Sequence, residues 1–371
     1  MKTSEDTILY SLALGSIKGV GSIMARKLIE NFGSAEAVFR EKPDLLTHIP
    51  RIGSQLAFHA KDPTLFRKAE QEIEFIRKHQ IETYYFEDDD YPERLKDCVD
   101  APVLLFYKGN APLNRKKVIS VVGTRTATQY GRDLTQQFVK ELAESVPDTL
   151  VVSGLAYGID VNAHKSALSS GLDTIGVLAH GLDRIYPEAH RNVAREMTEK
   201  GGLLSEYPSG TNPDKGNFLA RNRIIAGMSD ATIIVETPDK GGSVVTANIA
   251  HTYDRDVFAF PGRVNDSRSN GCNRLIRQNR AALITSAQDF LEMMNWSTDL
   301  CGKVKRQLPL PFDFTAEEEL VVKLLEDAGE MQINRLAIET EIPVSELAGI
   351  LMELEFRNIV RACPGGVYRV R

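Results

Sequence analysis

Four cysteines in 371 residues, Cys98, Cys272, Cys301 and Cys363, are scattered and never form a C-x-x-C pair. Their scarcity argues against a disulfide framework and reads as free thiols in a reducing compartment. The opening MKTSEDTILY lacks the basic-then-apolar layout of a signal peptide. No uncharged run approaches the roughly 18 residues that a membrane span requires. The expectation is a soluble, cytoplasmic protein. Nucleotide-enzyme signatures are missing too. No G-x-G-x-x-G follows the first apolar strand, no ribose-binding acid stands at the expected distance, and there is no Walker A lysine motif. Neither a dinucleotide-dependent oxidoreductase nor an ATPase is indicated.

Excess positive charge is also lacking: the net charge is −6. Residues 315–371 hold eleven acids and six bases, which leaves 40 acids and 39 bases for the rest. A near-neutral body can still present a basic groove if its arginines converge on one face. Placement decides, and bulk charge does not.

What the chain does have is one device repeated between Val118 and Gly262: a short apolar strand that empties into a glycine turn. Val118–Arg125 (VISVVGTR), Leu150–Asp160 (LVVSGLAYGID), Ala231–Glu236 leading to Gly241-Gly242-Ser243, and Val257–Arg263 (VFAFPGR) are the instances. Glycine at a strand's carboxyl end lets backbone N–H groups approach an anion, and the following helix adds its positive end. Strands alternate with amphipathic helices of about 10–15 residues, the pattern of βαβ units on a parallel sheet. Ligands of such sheets bind beyond the strands' carboxyl ends, where these turns fall. Several turns along one edge imply an extended anion track.

The richest polar stretch runs from Lys215 to Ser229, with Phe218, Arg221 and Arg223 inside it. Two guanidinia, an ammonium and an aromatic suit a strand of phosphates with a base to stack. The competing readings are an internal carboxylate partner for Arg221 or Arg223, and a core position for Phe218. Asp160, His164, His180 and Asp183 could make a metal site, but no dense ligand motif supports one. A helix cap at Asp160 and a packed, hydrogen-bonded His164 are the preferred readings.

The flanks differ from the core. Residues 1–85 read as helical. Ile17–Ser22 (IKGVGS) before an apolar-periodic run forms a helix-hairpin-helix signature of the SAM-like kind, echoed more weakly by Ile49–Ser54 (IPRIGS). Such turns receive DNA phosphates, and they also occur with no ligand; both readings stand. A connector at 86–116 leads into the Rossmann-like domain, which ends near 300, and a linker at 301–314 follows. Residues 315–371 have a winged-helix layout of three helical stretches and a two-stranded wing turning at Pro364-Gly365-Gly366. The third stretch, Ser345–Phe356, carries three acids and no base, so phosphates would repel it from a major groove. A protein-contacting or regulatory role is the preferred reading.

Ser153–His164 (SGLAYGIDVNAH), Arg221–Ser229 (RNRIIAGMS), Gly242–Ala247 (GSVVTA), Phe258–Gly262 (FAFPG) and Gly271-Cys272-Asn273 resemble the DNA-processing protein A (DprA/Smf) family. The resemblance extends upstream through Tyr91-Pro92 and Gly109-Asn110. It implies a non-enzymatic single-stranded DNA-binding protein that acts as a dimer in natural transformation and loads the RecA recombinase. It needs no cofactor and no metal. By resemblance the family's glycine-serine-arginine turn falls on Gly123, Thr124 and Arg125, with threonine in place of serine. The pocket lysine falls on Lys215 and the pocket aromatic on Phe218. Ser153, Gly154, Gly158, Arg221, Arg223, Gly241, Gly242 and Ser243 complete the expected DNA-binding set. The alternative is a Rossmann-like nucleotide-processing enzyme of the phosphoribohydrolase kind, whose P-G-G-x-G-T-x-x-E glutamate serves the chemistry. Here Ser243–Tyr253 contains no carboxylate, so glycosidic cleavage lacks its acid/base partner.

Overall fold

The apolar runs become buried parallel strands because helices cover both faces of the sheet they build. The computed structural model describes residues 3–49, 53–59, 62–296, 314–357, 359–363 and 366–370. They fall into two units, Met1–Thr298 and Asp299–Arg371.

In the first unit the strands are β1 (Glu82–Tyr85), β2 (Leu104–Gly109), β3 (Lys117–Val122), β4 (Thr149–Ser153) and β5 (Thr174–Leu178). They continue with β6 (Gly201–Ser205), β7 (Ala231–Ile234), β8 (Asp256–Ala259) and β9 (Ala282–Leu283). They form one sheet in the order β1-β2-β6-β5-β4-β3-β7-β8-β9. Pairing is parallel from β6 through β9; β2 lies antiparallel to β6, and β1 antiparallel to β2. The pleat sends Val118 and Val122 to one core and Ile119 and Val121 to the other. From β3 the chain winds outward through β4, β5 and β6, then returns to lay β7 on β3's other side. That reversal opens a crevice between the carboxyl ends of β3 and β7.

The helical N-terminal segment comprises Glu5–Gly15, Ser22–Phe32, Ala35–Arg40, Pro43–Thr47, Gly53–His59 and Pro63–Lys78. Of the second hairpin signature, Pro50-Arg51-Ile52 lies outside the described residues. The segment's core of Leu14, Leu28, Ile29, Leu46 and Leu56 closes on Tyr85 and Phe106 of β1 and β2. Residues 82–85, read above as the end of the helical segment, are instead a strand. Tyr84 faces the sheet's core and Tyr85 the helices' core, an aromatic pair suited to a strand buried on both sides. The connector also joins the sheet through β2. Tyr91 is fully buried with its hydroxyl donating to the Pro102 carbonyl at 2.7 Å, and the Asn110 side chain accepts from the Gly201 amide at 3.1 Å. The Tyr91-Pro92 and Gly109-Asn110 motifs are therefore joints of the fold.

The helix Ala287–Met293 corrects one expectation. In the sequence, the stretch Asp289–Asn295 (DFLEMMN) carries more apolar surface than a covered helix needs, which suggests a self-pairing face, yet Phe290 is fully buried against Phe138, Phe258 and Trp296. Ala287, Phe290 and Leu291 are core, while Met293 stays exposed. Cys98 and Cys272 are free and buried. No helix among the described residues is long and apolar enough to cross a membrane.

The second unit has helices Ala316–Ala328, Ile333–Thr340 and Val344–Phe356 and strands β10 (Met331–Gln332), β11 (Val360–Cys363) and β12 (Val367–Val370), ordered β10-β12-β11. This is a winged helix, with Leu325, Leu336, Leu347, Leu351 and Leu354 as its core. Thr315 and Glu318 close a reciprocal capping box on the first helix. The linker read at 301–314 lies outside the described residues except for Phe314, as do Pro364 and Gly365 of the wing turn.

Candidate nucleic-acid interface

The crevice predicted by the strand order is present. A cleft of about 210 Å³ is lined by Gly123, Thr124 and Arg125 after β3, Ala156 and Asp160 after β4, and Gly241, Gly242 and Ser243 after β7. Arg221 and Asn222 form its wall. The helix Gly242–Thr252 begins at this cleft with Gly241 as its N-cap and no side chain capping it. The Val244 amide donates to the Gly241 carbonyl at 3.1 Å, and the amides of Gly242 and Ser243 remain for an anion. The helix Gln129–Ser145, by contrast, starts after Thr128, whose hydroxyl takes the Gly131 amide and is itself held by buried Glu236 at 2.6 Å.

Tight backbone packing explains two of the glycines. Gly158 has a φ of +79°, and a Cβ there would run into the carbonyls of Thr124 and Arg125. A Cβ on Gly154 would strike the Arg221 guanidinium. These glycines shape the cleft from behind, and they do not line it. Ser153 is likewise structural, fully buried with its hydroxyl donating to the Val121 carbonyl at 2.7 Å. Ser243 lines the cleft, but its hydroxyl donates to Thr237 at 2.7 Å.

The cations divide into free and committed. Arg125 is exposed, makes no ion pair among the described residues, and lies over the Phe218 ring at 5.2 Å. Lys215 is exposed at the start of the helix Lys215–Gly227, one turn before half-buried Phe218 and on the same face. Arg221 is buried and donates to the carbonyls of Gly154, at 2.8 Å, and Val177, pinning the ends of β4 and β5. Burial pulls its pKa down to about 10, opposed by the nearby Asp160 carboxylate. Asp160 in turn is raised by burial, while Arg221 and the amides of Ala156 and Gly154 favour its ionised form. Arg221 thus has the internal carboxylate neighbour that sequence reasoning kept as its alternative, yet it still forms the cleft wall.

Arg223 is not in the cleft. It pairs with half-buried Glu206 and donates to Ser22 at 3.3 Å, at the start of the N-terminal helix Ser22–Phe32. Of the thirteen residues read as an interface, the structure gathers Gly123, Thr124, Arg125, Arg221, Gly241, Gly242 and Ser243 in one cleft. Lys215 and Phe218 stand together on the adjoining helix face, with Phe218 under Arg125.

Asp160 was read as a helix cap; it is a buried carboxylate in the cleft wall. His164 does follow its reading: fully buried, it accepts from the Leu155 amide at 3.3 Å and meets the Thr174 hydroxyl at 2.7 Å. Burial pushes its pKa down to about 3. Among the described residues no group of three or more His, Cys, Asp or Glu could hold a metal ion. Tyr186, 5.9 Å from Phe218 between ring centroids, was missed; nothing in the sequence couples residues so far apart.

A Rossmann-like sheet with a glycine-lined, cation-rimmed cleft, in a chain that also carries hairpin and winged-helix modules, defines a nucleic-acid-processing class of protein. The comparisons agree. The DNA recombination-mediator protein A family matches residues 82–295, a SAM-like helix-hairpin-helix tandem matches 11–57, and the DprA winged helix domain matches 307–366. The chain belongs to the DprA/Smf family, whose proteins are DNA-binding recombination mediators. Protein Smf of Synechocystis is 30% identical, with 98% of each chain covered. DNA processing protein DprA of Streptococcus pneumoniae is 43% identical over 55% of this chain and 71% of that protein. The X-ray structure of S. pneumoniae DprA superimposes with a TM-score of 0.63 at 34% identity, covering 79% of this chain and 98% of that one. DNA processing protein A of Helicobacter pylori, solved for its single-stranded DNA binding mode, gives a TM-score of 0.53 at 32% identity, covering 58% and 96%.

Proposed function

We propose that this protein binds single-stranded DNA along the carboxyl edge of its sheet, without turnover of its own. One observation carries the reading: the two free cations at the cleft, Arg125 and Lys215, flank an aromatic ring, Phe218, that Arg125 already covers. Phosphates meet the cations and the uncapped helix start, and a base meets the ring. The cleft's own carboxylate, Asp160, is buried and hydrogen-bonded to the turn, which leaves no free acid/base group for glycosidic cleavage.

In the cell the protein protects incoming single strands during natural transformation and loads the RecA recombinase onto them, working as a dimer in the cytoplasm. The family's description as a recombination mediator supports this finer role, as does the single-stranded DNA binding of the Helicobacter relative. The sheet domain is our candidate for the dimer contact.

Fluorescence anisotropy with single- and double-stranded oligonucleotides across a salt series tests the binding. Tight, salt-dependent, single-strand-selective binding is expected; equal affinity for duplex would overturn it. Incubation with nucleoside monophosphates, ATP and DNA is expected to release no base, phosphate or cleaved strand. Activity that vanishes in Asp160→Ala would restore the enzyme reading.

A further inference from the structure

The carboxyl ends of β4 and β5 carry two more rings, which neither core uses. Tyr186 is 48% exposed and rests one edge against Phe218, centroids 5.9 Å apart and planes 50° apart. Tyr157 is 50% exposed and meets the His190 ring edge-on at 4.9 Å. His190 is itself fixed, its Nδ1 2.8 Å from the Leu155 carbonyl. The short stretch 186–190 therefore serves both rings: it carries Tyr186 itself and supports Tyr157 through His190. Two acids in or just before it are already paired, Asp183 with Arg184 at 2.8 Å and Glu188 with Arg191 at 3.0 Å.

The opposite exit, past β7 toward β8, differs in charge. The hollow there, about 880 Å³, has exposed Tyr130 and Arg263 on its lining, but Glu236 and Asp266 line it as well. Glu236 is held by Thr128 and Asp266 by its own loop, and among the described residues no cation pairs with either. Two unneutralised carboxylates repel a phosphate chain.

We propose that Tyr186 and Tyr157 are base-stacking positions, so that the strand leaves the cleft over Phe218 and runs across the ends of β5 and β4. This rests on the single-stranded DNA reading above and adds the strand's path to it. Sequence-tolerant stacking on such rings is the usual partner of a cationic groove.

The experiment is anisotropy with the full chain and oligo-dT of about three and about twelve nucleotides, lengths that fill the cleft alone or extend past it. Tyr186→Ala and Tyr157→Ala are each expected to weaken the longer oligonucleotide about ten-fold, to leave the shorter one unchanged, and to keep the salt slope. Tyr186→Phe is expected to bind as the native chain does. Arg125→Ala serves as the control for the underlying reading. If it weakens binding while both tyrosine variants bind normally, the path is wrong and the cleft stands; Tyr130→Ala then tests the other exit. If Arg125→Ala and Lys215→Ala also bind normally, the cleft reading falls with it. If Tyr186→Phe is as weak as Tyr186→Ala, the hydroxyl acts and the ring does not, which overturns stacking.

Discussion

Arg221 and Arg223 stand two residues apart on one helix and serve two different regions. Two residues turn an α-helix by about 200°, so one guanidinium faces the cleft and the other the N-terminal helices. Both regions also share a device, a glycine turn that opens a helix: Gly241-Gly242 at the cleft, and Gly19 to Gly21 before Ser22–Phe32. Around the first, Arg125 and Lys215 make no ion pair among the described residues. Around the second, Arg223 is held by Glu206, with Asp100 at 4.0 Å from it. The same local geometry thus sits in a field open to anions in one place and already neutralised in the other. A glycine turn supplies amides; the surrounding acids decide whether a phosphate can use them. The first hairpin serves here as a joint between helices and sheet.

The largest expected effect is on stability at the cleft. Arg221→Ala leaves the buried Gly154 and Val177 carbonyls without their donor and takes away the cation nearest buried Asp160; each unsatisfied buried acceptor costs about 1–3 kcal/mol. Chemical unfolding measures it, and adding Asp160→Asn is expected to recover part of the loss. A single variant as stable as the native chain would show that Arg221 is a surface cation after all.

Next in size is DNA affinity. Arg125→Ala combined with Lys215→Ala is expected to weaken single-strand binding about 100-fold, about 2.7 kcal/mol. The slope of log K against log salt should fall by about 1.4, at roughly 0.7 per lost contact. Arg223→Gln is expected to leave that slope alone, because its charge is spent on Glu206. A flattened slope in Arg223→Gln would erase the contrast between the two regions.

A third test uses pH. The unfolded chain protonates His164 near 6.5, whereas burial holds the folded ring neutral down to about 3. Its contribution is therefore whole above pH 6.5 and is lost as pH falls toward 3. Between pH 7 and 5 the first unit should lose about 2 kcal/mol from this group. His164→Gln, which keeps a side-chain amide near Thr174, is expected to flatten that part of the profile. An unchanged profile would place the acid sensitivity elsewhere.

How much of this was legible beforehand depended on the range of the interaction. The Rossmann-like core was readable because strand, glycine turn and helix are each local, as in Val118–Arg125. The convergence of Gly123, Arg125 and Gly241–Ser243 followed from the rule that parallel strands end together. What sequence could not separate was Arg221 from Arg223, both arginines on one helix. Their fates were set by the Gly154 and Val177 carbonyls for Arg221 and by Glu206 for Arg223, groups distant in sequence and adjacent only once the sheet forms. Tyr84-Tyr85 was assigned to the helices because the strand that pairs with it, β2, lay in a segment read as a connector. The apolar helix at 287–293 was misjudged for a similar reason: the aromatic cluster that covers it comes from residues 138, 258 and 296.

The smallest expected effect concerns the winged-helix unit. Its balance of eleven acids against six bases opposes a phosphate chain, and its third helix, Val344–Phe356, adds no base of its own. Arg357, directly after that helix, is drawn back to Glu318 at 3.2 Å and Glu353 at 3.7 Å. Beside its exposed acids the unit also presents apolar side chains, with Ile338, Met352 and Phe356 all open to solvent, which suits a protein contact better than a groove of DNA. Because the chain divides at 298, ahead of this unit, a chain ending near Lys305 should retain the first unit's fold, and circular dichroism can verify it. Its affinity for single-stranded DNA is expected to stay within a few-fold of the full chain, well under the ten-fold that corresponds to about 1.4 kcal/mol. Its salt slope should be unchanged as well, since no phosphate contact is removed. A ten-fold loss with an intact fold would mean that the acidic unit reaches the DNA despite its charge, and the cleft would no longer account for binding alone.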